Sequence, residues 1–361
     1  MKRRTGLIGL ILPALIAAMA LACGSDSNDE AGSQATPQAP GASGAVAQAT
    51  TDPRAGWPKT FRLGLFGGDD AEETLRNNEP FKKYMEEKLG IPVEVFTGTS
   101  YGAVIEAMRA NRVDGMQVGP FSYVLAVQEA NAEALAVSVS STAKEPKYDP
   151  AIKPFYISVV FAKKGNGINT LEDLRGKGFN YVDPASTSGH LAPKTTLLKK
   201  GINTDKDTRS VFAGTHPTSA ISVWNDKAPA GATNEGNLRN LAESKQIEWC
   251  SYPDGEINKV RTEAEIKSLY DSCPDGKIVV LAQTDPIPNT PFAVRQNLPE
   301  SFKAAVKQAL LEMKDQPEMV TTMKRWYVDP RQEFGLQTLD QFYNPLRDIA
   351  KLLNLDLKEL E

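Results

Sequence analysis

Histidine is nearly absent from this 361-residue chain, which has two, and cysteine is scarce, with three. No histidine lies at ligand spacing from a cysteine, which disfavours a zinc-type metal site. The chain has no Gly-x-Ser-x-Gly elbow, no set of metal-binding carboxylates and no nucleophile beside cations. Hydrolase and phosphatase chemistry therefore lack their usual residues, and an enzyme is not expected. Positive charge is in deficit, with 41 Lys and Arg against 45 Asp and Glu for a formal charge of −4. That balance argues against a nucleic-acid partner, which needs basic patches. A bound anion would have to be held by local dipoles and hydrogen bonds against the overall field. There is no internal repeat, and the one long apolar run is at the N-terminus.

That run reads as a processing signal. Lys2, Arg3 and Arg4 precede an apolar stretch over 6–21 that is too short and too rich in small residues for a membrane span. It ends in Met19-Ala20-Leu21-Ala22-Cys23-Gly24, which resembles the lipobox of bacterial lipoproteins. The resemblance implies a signal peptide over 1–22 and a lipid on Cys23. The chain would then be exported and anchored to the outer face of the cell membrane, or held in the periplasm. Ala20 stands where a leucine is usual and Leu21 comes one place later, so an ordinary signal peptide is the alternative. Loss of the three cations takes the charge to −7. Residues 23–56 are small and polar and predict a flexible linker. With Cys23 assigned to lipid, Cys250 and Cys273 remain. Export permits a disulfide, and a structural bridge worth about 3 kcal/mol is expected over two separate thiols.

From residue 57 the pattern alternates strand and helix. Strands are predicted over 60–66, 93–96, 113–118, 157–162, 178–182, 210–212 and 277–281, and helices over 71–89 with an interruption at Pro80, 103–110, 218–224, 299–315 and 339–353. Strands separated by helices of one to three turns predict parallel sheets. The Pro-rich stretch over 146–156 and the segment 283–291 read as two crossings between α/β units. The expected division is a first lobe over 57–155, a second over 156–282, and a return to the first over 283–361. Such a pair of lobes leaves a cleft, a default place for a small ligand. Trp224, Trp249 and Trp326 read as packing residues.

The most informative segment is Asp183-Pro184-Ala185-Ser186-Thr187-Ser188-Gly189-His190, which follows an apolar strand and opens a helix. Free N–H groups and the positive end of a helix dipole favour an anion there. Thr99-Ser100-Tyr101, Gly119-Pro120-Phe121-Ser122-Tyr123 and Thr215-His216 repeat the arrangement after other strands. In open α/β sheets ligands bind at the C-terminal strand ends. One such segment alone would be ordinary helix capping. Four, two in each unit and containing both histidines but no Lys or Arg, point to an oxyanion site built from neutral donors.

These four segments, with Val113-Asp114-Gly115 and Phe212-Ala213-Gly214, resemble the phosphate/phosphite/phosphonate substrate-binding proteins of ABC transporters over about 61–319. The resemblance implies an α/β, two-lobed type II periplasmic-binding-protein fold that closes on its ligand. Tyr101 and Tyr156 match family tyrosines facing the cleft, and Tyr123 joins the expected ligand set. Ser186, Thr187 and Ser188 match the triplet that holds the phosphonate oxygens, and His216 the histidine that donates to them. His190 is an expected contact, with a structural histidine as its alternative. Thr290 stands where aminophosphonate binders carry an aspartate, and Glu235 is a candidate acidic partner. Losing one carboxylate favours phosphite, phosphate or methylphosphonate over 2-aminoethylphosphonate. The resemblance implies no cofactor, a permease with its ATPase as partner, and a monomer. An oxyanion sensor paired with a membrane histidine kinase is the alternative function.

Overall fold

In the computed structural model, which describes residues 52–68, 70–141, 143 and 145–355, strand and helix alternate as the sequence predicts. The signal peptide, Cys23 and most of the expected linker lie outside the described residues. Residues 52–56 already form turns, with Ala55 N–H donating to Asp52 O at 2.9 Å. Trp57 closes them onto the body, its ring edge-on to Phe302 and its indole N–H on Ser301 Oγ.

The first lobe begins β1 (Phe61–Phe66), α1 (Ala71–Leu89), β2 (Val93–Gly98), α2 (Tyr101–Arg109), β3 (Gly115–Gln117), α3 (Pro120–Ala130) and β4 (Ala132–Ser140). A short strand β5 (Phe155–Tyr156) leads across to β6 (Ser158–Lys163), β7 (Gly178–Tyr181), α4 (Ala192–Lys199), α5 (Thr204–Asp207) and β8 (Arg209–Phe212). The second lobe continues with α6 (His216–Trp224), β9 (Ala230–Asn234), α7 (Glu235–Glu243), α8 (Glu263–Ser272) and β10 (Ile278–Gln283). The chain returns through β11 (Ile287–Pro288) to β12 (Pro291–Arg295), α9 (Glu300–Glu312), α10 (Pro317–Met323), β13 (Arg325–Val328) and α11 (Asn344–Leu352).

Two sheets result, ordered β13-β4-β12-β3-β1-β2 and β10-β6-β9-β7-β8. The prediction of parallel sheets needs correction. Strands β2-β1-β3 and β8-β7-β9 are parallel, but β12 lies antiparallel between β3 and β4, and β6 is antiparallel to β9 and β10. The reason is where these strands enter. Both β6 and β12 start at the cleft, opposite the C-terminal ends of their neighbours (Ser158 against Asn234, Pro291 against Val137), and must run back from there. The two crossings also pair with each other, Ile287 against Tyr156, as an antiparallel ribbon under the cleft.

Each sheet is covered by apolar clusters on both faces. One face of the first sheet is packed by Phe61, Phe81, Phe292, Phe302 and Tyr327. The cluster on its other face includes Phe121, Tyr123 and Tyr343 but also Ala185, Leu191 and Ala192 from the second lobe, so this core is shared. Cys250 and Cys273 are bridged, 23 residues apart. Trp326 is fully buried. Among the described residues no helix is long and apolar enough to cross a membrane.

Candidate functional site

The Ser-Thr-Ser segment folds as one wide π-helical turn over Thr187–Leu191 that runs into α4. Ser186 caps it, its Oγ accepting the Gly189 N–H at 3.0 Å. Only glycine fits at 189, because a Cβ there would lie 2.3 Å from Val182 Cβ. Asp183 Oδ1 accepts the Ala185 N–H at 2.8 Å, fixing the loop's entry. Burial raises the Asp183 carboxyl above its ordinary range, opposed by the N–H groups of Ala185 and Tyr101. The hydroxyl of Ser158, the first residue of β6, donates to the Ser188 and Thr233 carbonyls at 2.5 and 3.1 Å and ties the turn to the sheet.

The helix starts of the first lobe meet this turn directly. Phe121 N–H, at the start of α3, donates to Thr187 Oγ1 at 2.7 Å, and Ser122 Oγ donates to Ala185 O at 2.8 Å. The reading of each segment as a free anion nest is corrected in part. Ser100 and Thr215 cap their own helices, accepting from Ala103 and Thr218 N–H, and Thr187 takes the N–H at the head of α3. A hydroxyl that accepts from an N–H keeps its own hydrogen to donate. Ser186 and Thr187 are thereby turned into oriented O–H donors, and both adjoin tyrosines, Ser186 with Tyr101 and Thr187 with Tyr156.

Tyr101 is stacked on Phe66, ring centroids 4.3 Å apart, and burial pushes its phenol well up. Burial pushes Tyr156 up to about 12, with the Ser188 and Thr187 side chains pulling the other way. Both phenols therefore keep their protons at neutral pH and can donate. His216 stands at the start of α6 with Nδ1 2.9 Å from Thr233 Oγ1, while its carbonyl accepts from Asn237 Nδ2 at 3.0 Å.

A cavity of about 970 Å³ lies between the lobes, and Tyr101, Gly119, Tyr156, Ser188, His216 and Thr290 all line it. Thr290 sits at the end of the second crossing, its carbonyl accepting both the N–H and the hydroxyl of Ser138. Ser186 and Thr187 stand directly behind Ser188. Sequence reasoning missed Gln117, Asn234 and Asn258, which also line the cavity. Gln117 and Asn234 fall at the C-terminal ends of β3 and β9, so strand ends were the available signal. Farther along the cleft the wall carries Arg239, Lys324 and Arg325.

Besides Ser186 and Thr187, three further expected ligand residues do not line the cavity. Tyr123 is fully buried, packed edge-on to Tyr343, with its hydroxyl on Asp340 Oδ1 at 2.9 Å. The face of α3 carrying it turns into the core. His190 packs between Tyr181 and Phe212 with Nδ1 2.9 Å from Pro184 O, and burial lowers its pKa to about 4. It is the neutral structural histidine, because the π-turn rotates it beneath the loop. Glu235 is fully buried beside the cavity, with Oε2 accepting the Asn258 N–H at 2.7 Å. As the first residue of α7 it points inward while its neighbours Asn234 and Gly236 face the cleft.

Residues 63–337 match the family described as ABC transporter, phosphonate, periplasmic substrate-binding protein. The chain is 28% identical over 272 residues to the phosphonates-binding periplasmic protein of Escherichia coli K12, covering 74% of this chain and 70% of that one. It is 31% identical over 184 residues to the phosphate-import protein PhnD of Mycolicibacterium smegmatis, a match of 49% of this chain and 55% of that one. Among solved structures, PhnD1 of Prochlorococcus marinus in complex with methylphosphonate superposes with a TM-score of 0.61 at 17% identity, covering 84% of this chain and 99% of that one. At that identity the likeness shows the fold, the two-lobed type II periplasmic-binding-protein architecture.

Proposed function

The chain belongs to the family of periplasmic phosphonate substrate-binding proteins of ABC transporters, and on that premise we propose that it captures a phosphonate, phosphite or related small phosphorus oxyanion in its cleft. It delivers that ligand to the permease and ATPase of an importer. The lobes divide at 57–155, 156–282 and 283–361, and a lipid on Cys23 holds the exported protein at the membrane.

The observation that carries this reading is the convergence of Tyr101, Tyr156, Ser188 and His216, from both lobes and the crossing between them, on one cavity. Phenols that keep their protons, with the Ser188 hydroxyl and His216, replace the water around the phosphorus oxygens. Hydrogen bonds to an ionised acceptor are about twice as strong as neutral ones. Both lobes contribute, so the ligand stabilises the closed state over the open one. At this end of the cavity selection rests on oxygen geometry and size. With Glu235 buried in the second lobe and Thr290 at the aspartate position, no carboxylate among the described residues lines this end of the cavity, so 2-aminoethylphosphonate ranks below phosphite and methylphosphonate.

Titration calorimetry on the protein without its leader tests this. Phosphite or methylphosphonate should bind, and Ser188→Ala and His216→Asn should each cost 10- to 100-fold in affinity, as expected for a hydrogen bond to a charged group worth roughly 1.5–3 kcal/mol. Absence of binding by every phosphorus oxyanion, or unchanged affinity in both variants, would sink the proposal. Tenfold tighter binding of 2-aminoethylphosphonate would overturn the ranking alone.

A further inference from the structure

The cavity of about 970 Å³ stands at the upper end of the range for pockets that enclose drug-sized molecules. Phosphite or methylphosphonate, with a handful of heavy atoms, fills only a small part of it. The lobes already touch at the Ser-Thr-Ser turn, through Phe121 to Thr187 and Ser122 to Ala185. The remaining space is therefore an extension of the cleft away from that turn.

Two ordered walls bound the extension. On the second lobe, α7 leaves the nest with Gly236, Arg239, Asn240 and Glu243 on the cavity, a spacing that puts them on one helix face. At 1.5 Å of rise per residue, Glu243 lies roughly 10 Å farther along the axis than Gly236. On the first lobe, Ser138 donates to the Thr290 carbonyl, Ser140 pairs across to Arg325, and Ser141 N–H donates to Lys324 O. A polar track thus runs from Thr290 to Arg325 and Lys324 opposite the α7 face.

This track ends in positive charge. Among the described residues, Arg239, Lys324 and Arg325 line the cavity against one carboxylate, Glu243, which is 2.8 Å from Arg239 Nε. The chain as a whole is acidic, so this accumulation runs against its overall balance. Arg325 is held in place, with Nη2 on Asn78 Oδ1 at 2.9 Å, its guanidinium over the Phe81 ring, and Nε buried without a partner. Lys324 has no carboxylate partner among the described residues.

We propose that this end of the cleft is a second subsite for an anionic tail, and that the preferred ligand is an organophosphonate carrying a carboxylate a few bonds from phosphorus. The inference rests on the reading that the phosphonate head is held at Ser188 and His216. The neutral donors there select the head by geometry, and the cations select the tail by charge, where a planar guanidinium suits a carboxylate.

Calorimetry with methylphosphonate, phosphonoacetate, 3-phosphonopropionate and 4-phosphonobutyrate decides it. At least one carboxyalkylphosphonate should bind tenfold or more tightly than methylphosphonate. The triple variant Arg239→Gln/Lys324→Gln/Arg325→Gln should erase that advantage, while methylphosphonate binding, which reports an intact fold and head site, stays within twofold. If the variant fails to fold, the ranking on the unaltered protein decides alone. Methylphosphonate binding as tightly as every carboxyalkylphosphonate would overturn the subsite and leave the capture function standing. Failure of every phosphorus compound to bind would overturn both.

Discussion

Glu235 and His190 show what a single residue owes to its surroundings. Glu235 has one carboxylate oxygen on the Asn258 N–H and the other buried without a partner, and burial raises its pKa to about 7. Because the folded-state value lies above the ordinary 4.5, the unfolded chain releases this proton first as pH rises. The contribution of Glu235 to stability is full below pH ~4.5 and is lost by pH ~7, a change of about 3 kcal/mol at 1.36 kcal/mol per pKa unit. Glu235→Gln should match the parent at pH 4 and exceed its urea-unfolding free energy at pH 8 by roughly that amount, and equal stabilities at pH 8 would refute the assignment. At this scale the sequence was legible for residue type more than for direction. His190 and His216 carry the same signal, a histidine in a hydroxyl-rich helix start, yet only His216 reaches the cavity. Phe179 and Tyr181, two apart on β7, form with Phe212 the aromatic face against which His190 packs, and that face was the available warning.

At the scale of elements, helix α1 has both ends as predicted, from the Asp70 cap to the left-handed Gly90, but it runs through Pro80 without the interruption expected there. Strand β4, Ala-Glu-Ala-Leu-Ala-Val-Ser-Val-Ser, was not legible, because alanine favours helix and its place between β12 and β13 is set by partners distant in sequence. The loop before α8 likewise has little regular structure of its own. Bidentate contacts from Arg261 to Asp254 and the disulfide hold it, and it supplies Ile257 and Asn258 to the cleft. Closing a loop of this length stabilises by about 3 kcal/mol in the chain-entropy account. Cys250→Ser/Cys273→Ser should lose about that much in urea unfolding and weaken ligand binding with it. A loss below about 1 kcal/mol would show that the loop is held by its ion pairs instead.

For the whole molecule the question is what holds two lobes around one cavity. Besides the paired crossings, two cross-lobe hydrogen bonds close the nest, and the core of the first lobe extends into the second through Ala185, Leu191 and Ala192. Removing both bonds with Thr187→Val/Ser122→Ala should cost the closed state about 2 kcal/mol, at about 1 kcal/mol each. That shifts the open–closed balance roughly thirtyfold. Small-angle scattering should show a larger radius of gyration for the ligand-free variant than for the parent, and an unchanged radius would mean that the apolar contacts alone hold the lobes. The division of labour between sequence and structure follows from range. Capping, strand and helix periodicity, scarce histidines and acidic charge are local or compositional, so the sequence by itself determined an α/β protein with hydroxyl-rich strand ends suited to an oxyanion. Which hydroxyls donate to a ligand and which serve their own helices depends on groups brought together from far along the chain. So do the inward turn of Tyr123, His190 and Glu235 and the gathering of Arg239, Lys324 and Arg325, and only the tertiary structure decides them.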